Sequence, residues 1–203
     1  MLAVATPHGE ARVHLRPVDA PRAALALGHG AAGGVGAPDL EAATEAARAE
    51  RLSVALVEQP YRVAGRRSPA PARRLDAAWT AVLEHLIGGE LRGLPLVVGG
   101  RSLGARVACR TVAAVGAAGV ICLAFPLRPP RRAGGAAPAS RIAELDALTV
   151  PTLVVQGERD RFGMPPAAAQ RTVARVPGDH GLKADPGAVA DAVGQWLRAM
   201  SFR

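Results

Sequence analysis

Aromatic side chains are scarce in this chain: three Phe, two Trp and one Tyr among 203 residues. Proteins that hold nucleic acids commonly stack bases on aromatic rings, so the net charge of +8 does not by itself imply such a partner. Lysine is scarcer still, with Lys183 alone among 25 basic residues. The remaining 24 are arginines, spread along the chain. The local clusters Arg66-Arg67, Arg73-Arg74 and residues 128–132 carry no interleaved aromatics. We read them as arginine-rich composition; a nucleic-acid partner is not expected, and attraction to acidic partners stays open. Only two cysteines occur, Cys109 and Cys122, in apolar surroundings and without metal-ligand spacing. They are expected as free buried thiols in a reducing cytoplasm. No basic-then-apolar leader opens the sequence, so a secretory route is not expected. The longest apolar stretch, residues 112–127, is interrupted by Gly116, Gly119 and Pro126. That suits a helix end, a turn and a strand, not a membrane span.

What is present is a globular composition, 49% apolar and dominated by Ala, Val and Leu. At this length we expect one domain over residues 1–203. Short apolar runs alternate with longer amphipathic segments. The runs predict strands at 11–15, 23–27, 53–57, 94–98, 120–124 and 152–156, with a weaker one at 172–176. Helical spacing predicts helices beginning at Asp39, over 72–86, over 102–112 and over 186–200, with a short one within 141–148. Strand alternating with helix means crossover connections, hence an α/β fold with a mostly parallel central sheet and helices on both faces. Residues 126–140, rich in Pro, Gly and Arg, read as a surface loop. In such sheets ligands bind beyond the carboxyl ends of the strands, so the residues just after each strand are the ones to inspect.

After the strand at 94–98 comes Gly99-Gly100-Arg101-Ser102-Leu103-Gly104. Gly100 to Gly104 fit G-x-S-x-G in the required strand–turn–helix context, making Ser102 a candidate nucleophile; the alternative is a serine that only caps a helix. After the strand at 152–156, Asp160 is the candidate orienting carboxylate, preferred to Glu158 because the turn begins at Gly157. His180, in Gly178-Asp179-His180-Gly181, is the candidate base. Of the five histidines it alone gives the chain order Ser, Asp, His; Asp179 reads as a solvated neighbour. After the strand at 23–27, Gly28-His29-Gly30-Ala31 lets main-chain N–H groups approach an anionic oxygen. The expected donors are the N–H groups of Ala31 and Leu103. A rival uses the same loop, because Gly28, Gly30 and Gly33 spell G-x-G-x-x-G and Glu58 ends the next strand, the outline of a dinucleotide-binding unit. Against it, Gly34, Gly36 and Pro38 delay the helix that the fingerprint should open.

Taken in order, these motifs resemble the α/β-hydrolase superfamily over most of the chain. More narrowly, the sequence is similar to the group of testis-expressed alpha/beta-hydrolase proteins and the hydrolase-like domain of a subunit of the non-specific-lethal chromatin complex. That likeness rests on Gly28-His29-Gly30-Ala31, Pro60-Tyr61 with Gly65-Arg66-Arg67, and Gly99-Gly100-Arg101-Ser102. Phe125-Pro126-Leu127 with Pro129-Pro130, and Gly157-Glu158-Arg159-Asp160 with Phe162-Gly163, complete it. The resemblance implies an α/β-hydrolase fold without a lid domain, a Ser-His-Asp set with a main-chain oxyanion hole, a small-molecule acyl substrate, and neither metal nor organic cofactor. Two departures stand out: Arg128 where the group carries histidine, and Arg131-Arg132-Ala133 in place of a Gly/Lys-rich stretch. Related dienelactone hydrolases use a cysteine nucleophile where this chain has Ser102. The second expectation, from a different class, is a hydrolase-fold interaction module with little turnover, since the narrower group includes a chromatin-complex member. Substrate identity and oligomeric state are not legible.

Overall fold

The computed structural model describes residues 1–129 and 138–202. The chain opens with a hairpin of β1 (Leu2–Thr6) and β2 (Gly9–Arg16), then alternates strand and helix. There follow β3 (Ala23–Gly28), α1 (Pro38–Ala49), β4 (Leu52–Glu58), a single-turn α2 (Pro60–Val63) and α3 (Ala72–Gly88). Next come β5 (Leu96–Arg101), α4 (Leu103–Thr111), β6 (Gly119–Leu123), a short α5 (Ile142–Asp146), β7 (Thr152–Gly157), β8 (Arg171–Val176) and α6 (Pro186–Ala199). The strands form one eight-stranded sheet in the order β1-β2-β4-β3-β5-β6-β7-β8. Pairing is antiparallel for β1 with β2 and β2 with β4, and parallel from β4 through to β8.

Strands β3 and β7 are buried along their whole length because helices cover both faces of the sheet. On one face Leu40, Ala43 and Ala47 of α1 meet Val189, Val193 and Leu197 of α6, all fully buried. On the other, Leu75, Trp79, Val82 and Leu86 of α3 pack with Ala105 and Ala108 of α4. Burying each such Leu or Val contributes about 1.5–3 kcal/mol, and the alanines let the layers approach closely. Cys109 of α4 and Cys122 of β6 are free thiols with sulfurs 3.5 Å apart between these layers. The Cys122 thiol is pushed well up from its ordinary value, first by its hydrogen bond with Cys109 and then by burial.

The expected strands and helices are present, with four adjustments. Strand β1 was not expected; its Leu2–Thr6 run alternates only weakly in burial and pairs at the sheet margin. Helix α2 is too short to show a periodicity. Strand β5 runs over 96–101 and not 94–98, so Gly99 and Gly100 lie within the sheet. The strand extends because Gly99 and Gly100 pair with Ile121 and Cys122 of β6, so closely that a methyl group at Gly99 would overlap the Ile121 carbonyl oxygen. The weak segment at 172–176 is the full edge strand β8, paired only with β7 and therefore half-exposed. Within the expected loop at 126–140, residues 130–137 lie outside the described residues, and with them Pro130 and the divergent Arg131-Arg132-Ala133. Among the described residues no helix is long and apolar enough to cross a membrane.

Candidate active site

Strand β5 delivers the chain to Ser102, and α4 starts immediately after it. Ser102 has φ +51° and ψ −99°, a left-handed conformation that is strained for a residue with a side chain. Bonds on either side fix the turn. The Ser102 N–H donates to the Leu123 carbonyl at 2.8 Å, extending the β5–β6 ladder, while its carbonyl accepts from the Arg106 N–H at 3.3 Å. The flanking glycines are needed because the end of β3 presses against this turn. A methyl at Gly100 or Gly104 would run into the Gly28 backbone.

His180 follows β8 on a loop and reaches across the strand ends. Its Nε2 stands 3.0 Å from Ser102 Oγ, and its Nδ1 stands 2.8 Å from Asp160 Oδ2. The three side chains named from the sequence are thus brought together in one relay. Asp160 lies in the turn after β7, its side chain 1% exposed. Its second oxygen accepts from the Phe162 N–H at 2.8 Å. The ring of Phe162 meets the imidazole edge-on, with centroids 4.4 Å apart. Beneath the relay sits Gln156, the fully buried penultimate residue of β7. Its amide nitrogen is 2.8 Å from Asp160 Oδ2, 3.1 Å from the Phe125 carbonyl and 2.9 Å from the Gly163 carbonyl. It ties the carboxylate to the loops after β6 and β7. Sequence reading missed it, although a polar residue inside the apolar run Leu153-Val154-Val155-Gln156 was the available signal.

The loop after β3 is held from below. His29 is buried, and its Nε2 accepts from the Gln59 N–H at 3.1 Å while its Nδ1 lies 2.8 Å from the Gly30 carbonyl. Accepting at one nitrogen and donating from the other requires the neutral ring. Burial drives its pKa below the ordinary value of 6.5, against the raising effect of the bond to Gly30. In a trans peptide the C=O and the next N–H point in opposite directions. Fixing the Gly30 carbonyl on His29 and on the Gly33 N–H, 3.3 Å away, therefore aims the Ala31 N–H the other way. The Tyr61 hydroxyl donates to the Ala31 carbonyl at 3.0 Å and fixes the next peptide. The Leu103 N–H, first in α4, has no partner within its own helix.

Arg101, the residue before the serine, also supports the site. Its Nε lies 3.0 Å from Asp39 Oδ2 at the start of α1, and its Nη2 donates to the His180 carbonyl at 3.1 Å. Asp39 is fully buried and neither oxygen has an aligned hydrogen-bond partner among the described residues. The Arg101 contact is thus an ion pair more than a directed bond. Burial raises the Asp39 pKa, with Arg101 opposing. Gly30 leaves the room Arg101 needs: a methyl there would come 2.6 Å from Nη1.

The rival dinucleotide reading fails on geometry. The last glycine of the fingerprint, Gly33, opens no helix: α1 begins at Pro38, and a methyl at Gly33 would touch nothing. Glu58 Oε2 faces His14 Nε2 at 3.2 Å. Glu158 is exposed, and Asp179 accepts from the Gly181 N–H at 2.8 Å, serving its own loop. Among the described residues no cluster of three His, Cys, Asp or Glu side chains is placed to hold a metal ion. An open depression of about 440 Å³ is lined by Arg159, Arg161, Asp179 and His180.

The profile of the family described as "Alpha/beta hydrolase domain" matches residues 21–185, a span that holds every site residue above. No curated protein matches the sequence. Among solved structures the chain is similar to an α/β serine hydrolase without lid from Xanthomonas campestris. Identity is 21%, coverage is 98% of this chain and 95% of that one, and the TM-score is 0.71. It is also similar to Est1E from Butyrivibrio proteoclasticus, at 14% identity, 97% coverage of both chains and a TM-score of 0.76. A dienelactone hydrolase from Anabaena variabilis matches at 14% identity, covering 97% of this chain and 95% of that one, with a TM-score of 0.74. At these identities the likeness is one of fold.

Two outcomes are expected. Gly104→Ala should destabilise the fold by about 1–3 kcal/mol in urea denaturation, because the new methyl meets backbone and not a yielding side chain. Unchanged stability would contradict the close approach of Gly28. For His29, the unfolded ring takes a proton that the buried ring resists, so the His29 contribution is intact above 6.5 and is lost as pH falls below that value. Urea midpoints measured at about pH 7.5 and about pH 5 should drop more in the native chain than in His29→Gln. Equal drops would show that the ring is not held neutral.

Proposed function

Because the chain belongs to the alpha/beta hydrolase family, we propose that it is a carboxylesterase-like serine hydrolase acting on ester-type acyl bonds of small or exposed substrates. The observation that carries this reading is the continuous relay from Ser102 Oγ through His180 to Asp160, at 3.0 and 2.8 Å. His180 Nε2 takes the hydroxyl proton as Oγ attacks the acyl carbon, and Asp160 holds the Nδ1–H tautomer and steadies the imidazolium. The N–H groups of Ala31 and Leu103 receive the developing oxyanion. The proton passes to the departing alcohol as its bond to carbon breaks, leaving an acyl-serine. Water, deprotonated by the same imidazole, then attacks that carbon; the acyl–Oγ bond breaks, the imidazolium returns the proton to Ser102 Oγ, and the carboxylic acid leaves. Each main-chain donor of this kind is worth about 10²–10³ in turnover.

The connection between β6 and β7, residues 124–151, leaves little chain for a lid over the strand ends, which supports a preference for small or exposed acyl groups. The interaction-module alternative loses ground because a scaffold has no need of the relay and its buried Gln156 support. The narrower kinship with the testis-expressed and non-specific-lethal group, and a cytoplasmic setting, belong to the same proposal. They rest on the sequence motifs and on the free thiols.

A fluorophosphonate probe should label the folded chain at Ser102, and both His180→Ala and Ser102→Ala should abolish labelling while the thermal transition persists. Folded native chain that stays unlabelled would favour the interaction module. Nitrophenyl acetate and butyrate should be cleaved with higher kcat/KM than the palmitate ester; the reverse order would refute the open pocket.

A further inference from the structure

Pro60-Tyr61 and Arg66 stand out in the sequence, and the proposed reaction uses none of them directly. In the fold they meet around a second cavity. It has a volume of about 380 Å³ and lies where the β1–β2 turn faces α2 and the start of α3. Its lining includes none of Ser102, His180 and Asp160. Pro60, Val63, Leu75 and Ala78 give it apolar walls, and Arg66 and Arg74 are the two arginines in its lining. Neither arginine is in an ion pair among the described residues, and both are exposed. Across the cavity, Glu10 is the carboxylate in the lining, and it has Arg12 for a neighbour at 3.7 Å. Two uncompensated cations beside apolar walls suit an anion attached to an apolar body, because burial of the body and charge-assisted hydrogen bonds to the head act together.

Two lining residues also grip the loop after β3. The Gln59 N–H donates to His29 Nε2 at 3.1 Å, and the Tyr61 hydroxyl donates to the Ala31 carbonyl at 3.0 Å. Two residues of the cavity wall, Gln59 and Tyr61, therefore also support the candidate oxyanion loop. We infer that this cavity is a binding site for small amphiphilic anions, carboxylates or phosphates on an aryl or short alkyl body, separate from Ser102 and sharing its wall with the oxyanion loop. The loop's role rests on the proposed hydrolase reading; the binding site does not.

The experiment is calorimetric titration of the Ser102→Ala protein with 3-phenylpropionate and with its neutral amide. Using that variant removes turnover, so a failure of fluorophosphonate labelling would sink the hydrolase reading and leave this one standing. Saturable binding of the carboxylate is expected, weaker by about tenfold for the amide and for Arg66→Gln/Arg74→Gln, and weakened by added salt. Both arginines are exposed, so the double variant should keep its fold, checked by its thermal transition. No saturable binding, equal affinity for the amide, or undiminished affinity in the double variant would each overturn the assignment.

Discussion

The Gly28 peptide, at the end of β3, lies directly against Gly100 and Gly104 on either side of Ser102. This backbone-to-backbone contact excludes a side chain at Gly100 and at Gly104, and leaves only tight room for one at Gly28. It also makes the rest of the site possible. With β3 this close, the chain can leave β5 only through a turn sharp enough to put Ser102 at φ +51°. Such strain persists only where the surroundings over-determine it. Here the surroundings are a ladder bond to Leu123 before the turn, a helix after it, and sheet packing on both sides.

Around that turn the polar groups are paired in layers. Gln156 steadies Asp160, Asp160 orients His180, and Arg101 holds the His180 carbonyl. His29 and Tyr61 do the same for the peptides flanking Ala31. Each support comes from a different element: β7, the end of β5, the loop after β3, and α2. Asp39 is the costly member. It is a buried carboxylate whose pKa is raised by desolvation and whose compensation is the offset contact with Arg101. Removing either partner of a buried pair leaves the other uncompensated, so Arg101 and Asp39 constrain each other as well as the His180 loop.

The scarcity of aromatic residues shapes the interior. Layers of Ala, Val and Leu fill both faces of the sheet, and Trp79 is the largest fully buried side chain. Its ring packs on the Gly28 side of the serine turn. The arginines take a different part. Several are fixed in bidentate pairs, as Arg110 is with Asp76 and Arg106 with Glu144. Others, among them Arg159 and Arg161 near His180 and Arg66 and Arg74 by the second cavity, stand at open depressions. A planar guanidinium is suited to both tasks, internal bracing and recognition of planar anions.

Ser102, Asp160 and His180 were legible in the sequence because each follows a strand, and strands of this kind announce themselves as short apolar runs bounded by glycine. The parallel sheet and its helical layers followed from the same alternation. Ala31 and Leu103 were legible only as positions, since a main-chain donor leaves no mark on residue type. The sequence by itself determined which strand ends carry the candidate serine, carboxylate and imidazole, because that depends on local periodicity and turn chemistry. Tertiary structure alone decided that β5 extends through Gly99 and Gly100, that β1 joins the sheet, and that Gln156, Arg101, Asp39, His29 and Tyr61 support the site. Those roles arise from contacts between segments many residues apart. Short-range spacing carries no information about which distant carbonyl or carboxylate a buried polar group will meet.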